Sequence, residues 1–208
     1  MNDETQVEFQ KFPKIARLSR EAVITEKIDG TNASIYIGKN EEFLTGSRTR
    51  WITPETDNFG FSRWAHEHKE ELLTLGPGHH FGEWWGSKIQ RRYGLQNGEK
   101  RFSMFNVLRW CLHGQEPKHS APDNPQEDRV QDVLPSCVGL VPVLWIGCFN
   151  SRIVDEVLGE LQRNGSHAAP GFMKPEGVVI YHTAGHICFK KTIENDKDGK
   201  SRNMETLK

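Results

Sequence analysis

Seven β-prone runs separated by turn signals constrain this chain more than any other feature. They read EAVITEK (21–27), ASIYIG (33–38), HHFGEWWG (79–86), RFSMFNVLRW (101–110), VGLVPVLWI (138–146), EGVVIYH (176–182) and HICFKK (186–191). Only two stretches carry a helical period. SRWAHEHKEELLTL (62–75) starts at Ser62 as a cap and stops near Gly76. SRIVDEVLGELQRNG (151–165) places apolar residues at 153, 154, 157, 158 and 161 between a Ser151 cap and an Asn164-Gly165 stop. Strands that outnumber and do not alternate with helices predict an α+β fold, with mainly antiparallel sheets and flanking helices. The proline-rich stretch between Gly114 and Asp132 reads as a surface loop, and the polar tail 195–208 as a flexible end.

At 208 residues, 36% hydrophobic and 26% charged, the chain fits one globular domain over 1–208. Its net charge of -1 does not advertise a polyanion partner, so any nucleic-acid site must be a local patch. The start, MNDETQVEFQ, is acidic and polar, unlike a secretory leader. The longest apolar run, VGLVPVLWIGCF, is too short for a membrane span and contains Pro142. Cys111, Cys137, Cys148 and Cys188 lack metal-ligand spacing. These features predict a cytoplasmic protein with reduced thiols. In the tail, ENDKDGKSRNME imitates a calcium loop but begins with Glu194 and has no following helix, so calcium binding is not expected.

The chemistry concentrates in four places. Lys27-Ile28-Asp29-Gly30 sets a lysine at the lip of an Asp-Gly turn between two strands. A lysine becomes a nucleophile in a dry or cationic pocket, yet this motif alone fits a surface lysine beside a hairpin equally well. SRTRW (47–51) brings Arg48 and Arg50, forks suited to phosphate or to a solvated edge. Glu83 lies among Phe81, Trp84 and Trp85, and a carboxylate is costly to bury there without a donor or a metal. Lys88, Arg91 and Arg92, with Tyr93, follow as a cationic and aromatic patch for a nucleic-acid backbone.

The last place is a hairpin. If His182 faces His186, then Ile180 faces Cys188 and Val178 faces Lys190. Alternation then puts Glu176, Val178, Cys188 and Lys190 on one face. A plain cross-strand ion pair would satisfy the same pattern.

KIDGTN, SRTR, FGEWWG, FSMFNV, EGVVI and FKKT occur in this order across roughly residues 12–193. Together they make the chain resemble the RNA-ligase family of covalent nucleotidyltransferases, in particular the branch that seals nicks in duplex RNA. The resemblance implies a nucleotidyltransferase (ATP-grasp-like ligase core) fold, ATP as AMP donor, and Mg2+ or Mn2+. It makes Lys27 the nucleophile that carries AMP, with Glu176 and Lys190 as the other catalytic residues and Glu176 at the metal. Glu26, Ile28, Asn32, Arg48, Glu83, Phe105 (or alternatively Phe102), Lys190 and Lys191 would hold the nucleotide. Arg50, Lys88, Arg91 and Arg92 would meet RNA bearing a 5′-phosphate and a 3′-hydroxyl, most simply a nicked duplex bound by a monomer in RNA repair. Two departures stand out. The second lysine of FKKT directly follows the first, so it faces the other way along a strand. The sequence ends soon after the last motif, so a minimal catalytic core is the expectation. DNA sealing, capping or non-catalytic RNA-end binding are the competing readings.

Overall fold

The computed structural model describes residues 8–110 and 134–194. The proline-rich stretch, the calcium-loop imitation beyond Glu194 and the tail lie outside them. Ten strands form two sheets. The four-stranded sheet runs in the order β10 (Ile187–Thr192), β9 (Gly177–His182), β1 (Glu21–Lys27), β8 (Val143–Cys148). The six-stranded sheet runs β4 (Trp51–Ile52), β3 (Phe43–Gly46), β2 (Thr31–Ile37), β5 (Gly78–Gly86), β6 (Lys100–Met104), β7 (Val138–Leu140). Every pairing is antiparallel except β6 with β7. The expected α+β class, mainly antiparallel, is what the chain adopts.

Alternation along each strand divides the two faces. In the six-stranded sheet, Ala33, Ile35, Trp84, Phe102 and Met104 point to one side. There they pack on Phe61 and Ala65 of α1 (Phe61–Glu67) and Leu72 of α2 (Lys69–Leu73). In the four-stranded sheet, Ala22, Ile24, Val178 and Ile180 meet Val154, Val157 and Leu161, one stripe of α4 (Ser151–Asn164). Burying each Val, Ile or Leu side chain of these clusters stabilises the fold by about 1.5–3 kcal/mol. Between the sheets, Val23, Ile28, Trp85, Tyr93 and Val141 form a third cluster.

Local expectations needed adjustment where side chains compete for backbone groups. The first helix breaks at His68, whose Nδ1 lies 2.8 Å from the Trp64 carbonyl, the same carbonyl that takes the His68 N–H. Ser62 is not its cap. Fully buried inside α1, it bonds Thr45 Oγ1 at 2.7 Å, and the Asp57 carboxylate instead accepts the Ser62 and Arg63 N–H groups. At α4 the cap is Asn150, accepting from Arg152 N at 2.9 Å, with Ser151 already helical. RFSMFNVLRW leaves its strand after Met104 and turns into the short α3 (Val107–Trp110). VGLVPVLWI is two strands: Pro142 donates no hydrogen bond, and there the chain passes from β7 in one sheet to β8 in the other.

Candidate active site

A cleft of about 490 Å³ opens between the sheets, within the range of small-molecule sites. β1, β9 and β10 supply Thr25, Lys27, Val179, Tyr181 and Cys188; β2 and β5 supply Asn32, His79, Phe81 and Glu83. Lys27 ends β1, directly opposite Gly177. That pairing brings Glu176, one residue before β9, against the lysine, and Nζ lies 2.6 Å from Glu176 Oε2. Both side chains are about a fifth to a quarter exposed (24% and 19%), so the pair stands at the cleft wall with access to a ligand.

The turn after Lys27 is clamped from below. The phenol oxygen of Tyr93 accepts the Asp29 N–H at 3.0 Å, and its hydroxyl points to the Lys27 carbonyl at 3.4 Å. Burial pushes the phenol pKa up, so it stays a neutral donor and acceptor. Tyr93, expected on a surface patch, is 1% exposed and takes a left-handed backbone (φ 47°) to turn inward. Gly30 is needed because its backbone presses on β5: a Cβ there would meet the Trp84 carbonyl at 2.5 Å and Glu83 Cγ at 3.0 Å. The same approach lets the Gly30 N–H reach Glu83 Oε1 at 3.1 Å, while Asn32 Nδ2 donates to Oε2 at 3.2 Å. Burial raises the Glu83 pKa from 4.5 to about 7, opposed by the Lys27 charge and the Gly30 N–H and reinforced by Glu176 and Asp29.

Phe105 and Phe102 separate cleanly. Phe105 is 42% exposed at the cleft, whereas Phe102 is 1% exposed in the core beneath the sheet. Ile28 lines the cleft while anchoring the turn in the core. Glu26 is almost wholly buried, and its Oε2 accepts the His167 and Ala168 N–H groups at 2.8 and 3.0 Å. It also lines the cleft at the end of β1, beside Thr25, Lys27 and Ile28. Its Oε1 has no hydrogen-bond partner among the described residues.

The C-terminal hairpin is shifted by one residue from the expected register. Lys190 pairs with Val179 rather than Val178, and Lys191 with Val178. The turn, with His186 left-handed (φ 49°), is one residue different from the symmetric one assumed. Lys190 therefore shares the face of Cys188, Tyr181 and Val179, which line the cleft, and Val178 belongs to the α4 side. Lys191 points to that opposite side and forms an ion pair with Asp155 of α4.

Other predicted residues lie further out. Arg48 and Arg50 are exposed on the β3–β4 connection, and Lys88 and Arg92 on the segment after β5. Arg91 is engaged within the fold: Nε donates to Asp29 at 3.1 Å and its other nitrogens to Glu194 at 3.0 Å and the Lys174 carbonyl at 3.3 Å. Spacing alone did not reveal the clamping role of Tyr93; its place amid apolar Ile89 and Leu95 was the one available signal. Among the described residues no group of three His, Cys, Asp or Glu could enclose a metal. Divalent ions bound with a nucleotide commonly take only one or two carboxylates and keep water and phosphate oxygens as their other ligands, so a single part-exposed carboxylate such as Glu176 is chemically compatible with one.

A family model described as RNA ligase matches residues 20–194. No curated protein sequence matches the chain. Solved structures of the Naegleria gruberi RNA ligase share the fold. A mutant without ligand superposes with a TM-score of 0.59 at 19% identity, covering 84% of this chain and 50% of that one. A mutant with ATP and Mn gives 0.57 at 19% over 84% and 50%, and the enzyme with PPi 0.58 at 19% over 87% and 53%. The chain thus spans about half the length of these relatives. With the family pattern running from the first strand to the end of the C-terminal hairpin, the chain belongs to the RNA ligase family.

Proposed function

We propose that the protein is an ATP-dependent RNA ligase working through a lysyl-AMP intermediate. The observation that carries this is the Lys27 ammonium held 2.6 Å from Glu176 at the wall of a cleft that also holds a buried carboxylate, Glu83. Attack needs the neutral amine, and Glu176 Oε2 is placed to take the proton. The Lys27 nitrogen forms a bond to the α-phosphorus of ATP as the bond to pyrophosphate breaks. An oxygen of the RNA 5′-phosphate then takes the AMP and frees the lysine. Finally the 3′-hydroxyl attacks that phosphate, AMP leaves, and a phosphodiester remains.

The other side chains bind and orient. Glu83, fixed by Gly30 and Asn32, is the acceptor for ribose hydroxyls, and exposed Phe105 is the surface for the adenine ring. Ile28 and Glu26 line the cleft, and the Glu26 carboxylate also secures β1 by accepting the His167 and Ala168 N–H groups. Lys190 reaches the α-phosphate from the β10 face; Lys191 supports α4 instead. Arg48 comes to the phosphates only if the β3–β4 connection moves toward the cleft. A divalent ion bound with ATP would neutralise phosphate charge, with Glu176 as its protein ligand. Solved relatives described with ATP, AMP and Mn support the choice of nucleotide and metal.

RNA nicks in a duplex are the proposed substrate, sealed by a monomer in RNA repair inside the cell. No helix among the described residues is long and apolar enough to cross a membrane. The test is incubation with α-labelled ATP and a divalent metal, followed by denaturing electrophoresis. A labelled adduct from ATP, absent in Lys27→Ala and Lys27→Arg, is expected. An adduct of normal yield in either variant refutes the assignment of the nucleophile. Labelling from GTP or NAD in place of ATP refutes the nucleotide.

A further inference from the structure

The face of the six-stranded sheet that forms one cleft wall continues beyond the cleft, and it carries aromatic rings. Register places Trp51, Gly46, Ser34 and Phe81 in one row across β4, β3, β2 and β5, with Tyr36 and His79 paired in the next. The Phe81 and His79 rings are nearly parallel (7°, centroids 5.6 Å), and so are His79 and Trp51 (22°, 6.2 Å). Tyr36 backs His79 at 4.7 Å. The Trp51 indole sits over Gly46, where a Cβ would come within 3.3 Å of two ring carbons, so any larger residue would lift it. Despite this ordering the rings stay open: Trp51 is 52% and Phe81 56% exposed.

We propose that this row is a stacking platform for a base of an RNA strand that leaves the nick unpaired, beyond the duplex held at the reacting end. The inference rests on the reading of the chain as an RNA ligase and deepens it by naming a subsite. Continuity is the first reason: His79 and Phe81 line the same cleft as Lys27 and Glu83, so a strand leaving the cleft passes directly over them. Charge is the second. Exposed Arg48 and Arg50 immediately precede Trp51 on the β3–β4 connection, where they can take the phosphates of a nucleotide whose base lies on the rings. Near-parallel exposed rings beside arginines match a nucleobase face and its backbone. At the β2–β3 turn, exposed Glu41 and Glu42 end the platform with the opposite charge.

The experiment measures binding of the whole chain to a short 5′-phosphorylated single-stranded RNA and to the same backbone without bases. Wild type should hold the intact RNA about 5- to 50-fold more tightly than the abasic one. Trp51→Ala should lose most of that preference, and Trp51→Phe should keep it. All three proteins should melt alike and form the AMP adduct alike. Equal binding of intact and abasic RNA by wild type, or Trp51→Ala binding as wild type does, overturns the platform. Absence of an adduct in wild type overturns the ligase reading instead, and base-dependent binding would still be scored separately.

Discussion

Replacing Glu83 with glutamine should stabilise the protein above neutrality while weakening its use of ATP. The carboxylate is 8% exposed, and burial lifts its pKa from 4.5 to about 7. A folded-state pKa above the unfolded one means that the native protein holds this proton more tightly. Its contribution is complete below about pH 4.5, declines as pH rises toward 7, and is flat beyond. That gap of roughly 2.5 pH units is worth about 3 kcal/mol of stability. Glutamine keeps the shape and carries no charge; its carbonyl still accepts from Gly30, and the Asn32 amide can turn to accept from it. The difference in stability between variant and wild type should therefore move in favour of the variant by up to about 3 kcal/mol between pH 4.5 and pH 8. Urea unfolding of both proteins at the two pH values measures it. Adduct formation at limiting ATP should meanwhile drop by about 10- to 100-fold, the value of a hydrogen bond to a charged acceptor. A stability difference that does not change with pH, or a variant weaker than wild type at pH 8, would show that the charge is not buried at a cost.

Lys190→Ala should abolish most adduct formation, whereas Lys191→Ala should leave it largely intact and lower stability by less than about 1 kcal/mol, because its partner Asp155 is solvent-exposed. Equal damage from both would contradict the hairpin register. Gly30→Ala should cost about 1–3 kcal/mol in unfolding and also reduce adenylylation, since the new methyl displaces the turn from Trp84 and Glu83. Glu26→Ala should cost about 3 kcal/mol by stranding the His167 and Ala168 N–H groups, with Glu26→Gln close to wild type in denaturant. Sealing of nicked RNA should fall more steeply with salt than adduct formation does, because on the proposed reading the exposed Lys88 and Arg92 would meet RNA phosphates, which adduct formation from ATP does not involve.

The sequence by itself determined the longer elements and the inventory of reactive groups. Alternation and helical period are local properties, so β1, β5, β9 and α4 were legible to within a residue or two, and Lys27, Glu83 and Glu176 stood out by type and order. Tertiary structure decided everything that depends on distant partners. Arg91 has the look of a solvent-facing phosphate ligand, yet its carboxylates come from 62 and 103 residues away. Glu26 is held by backbone groups 141 and 142 residues downstream, which no pattern within β1 announces. The hairpin register turned on one residue in the turn at His186, and a slip of one moved Val178 from the cleft to the α4 core. Pro142 marked a break in a strand, but only the pairing of its two halves revealed that they serve different sheets. The aromatic row is the clearest case: Trp51, Tyr36, His79 and Phe81 are scattered over four separate positions in three strands, and only cross-strand register makes them one surface.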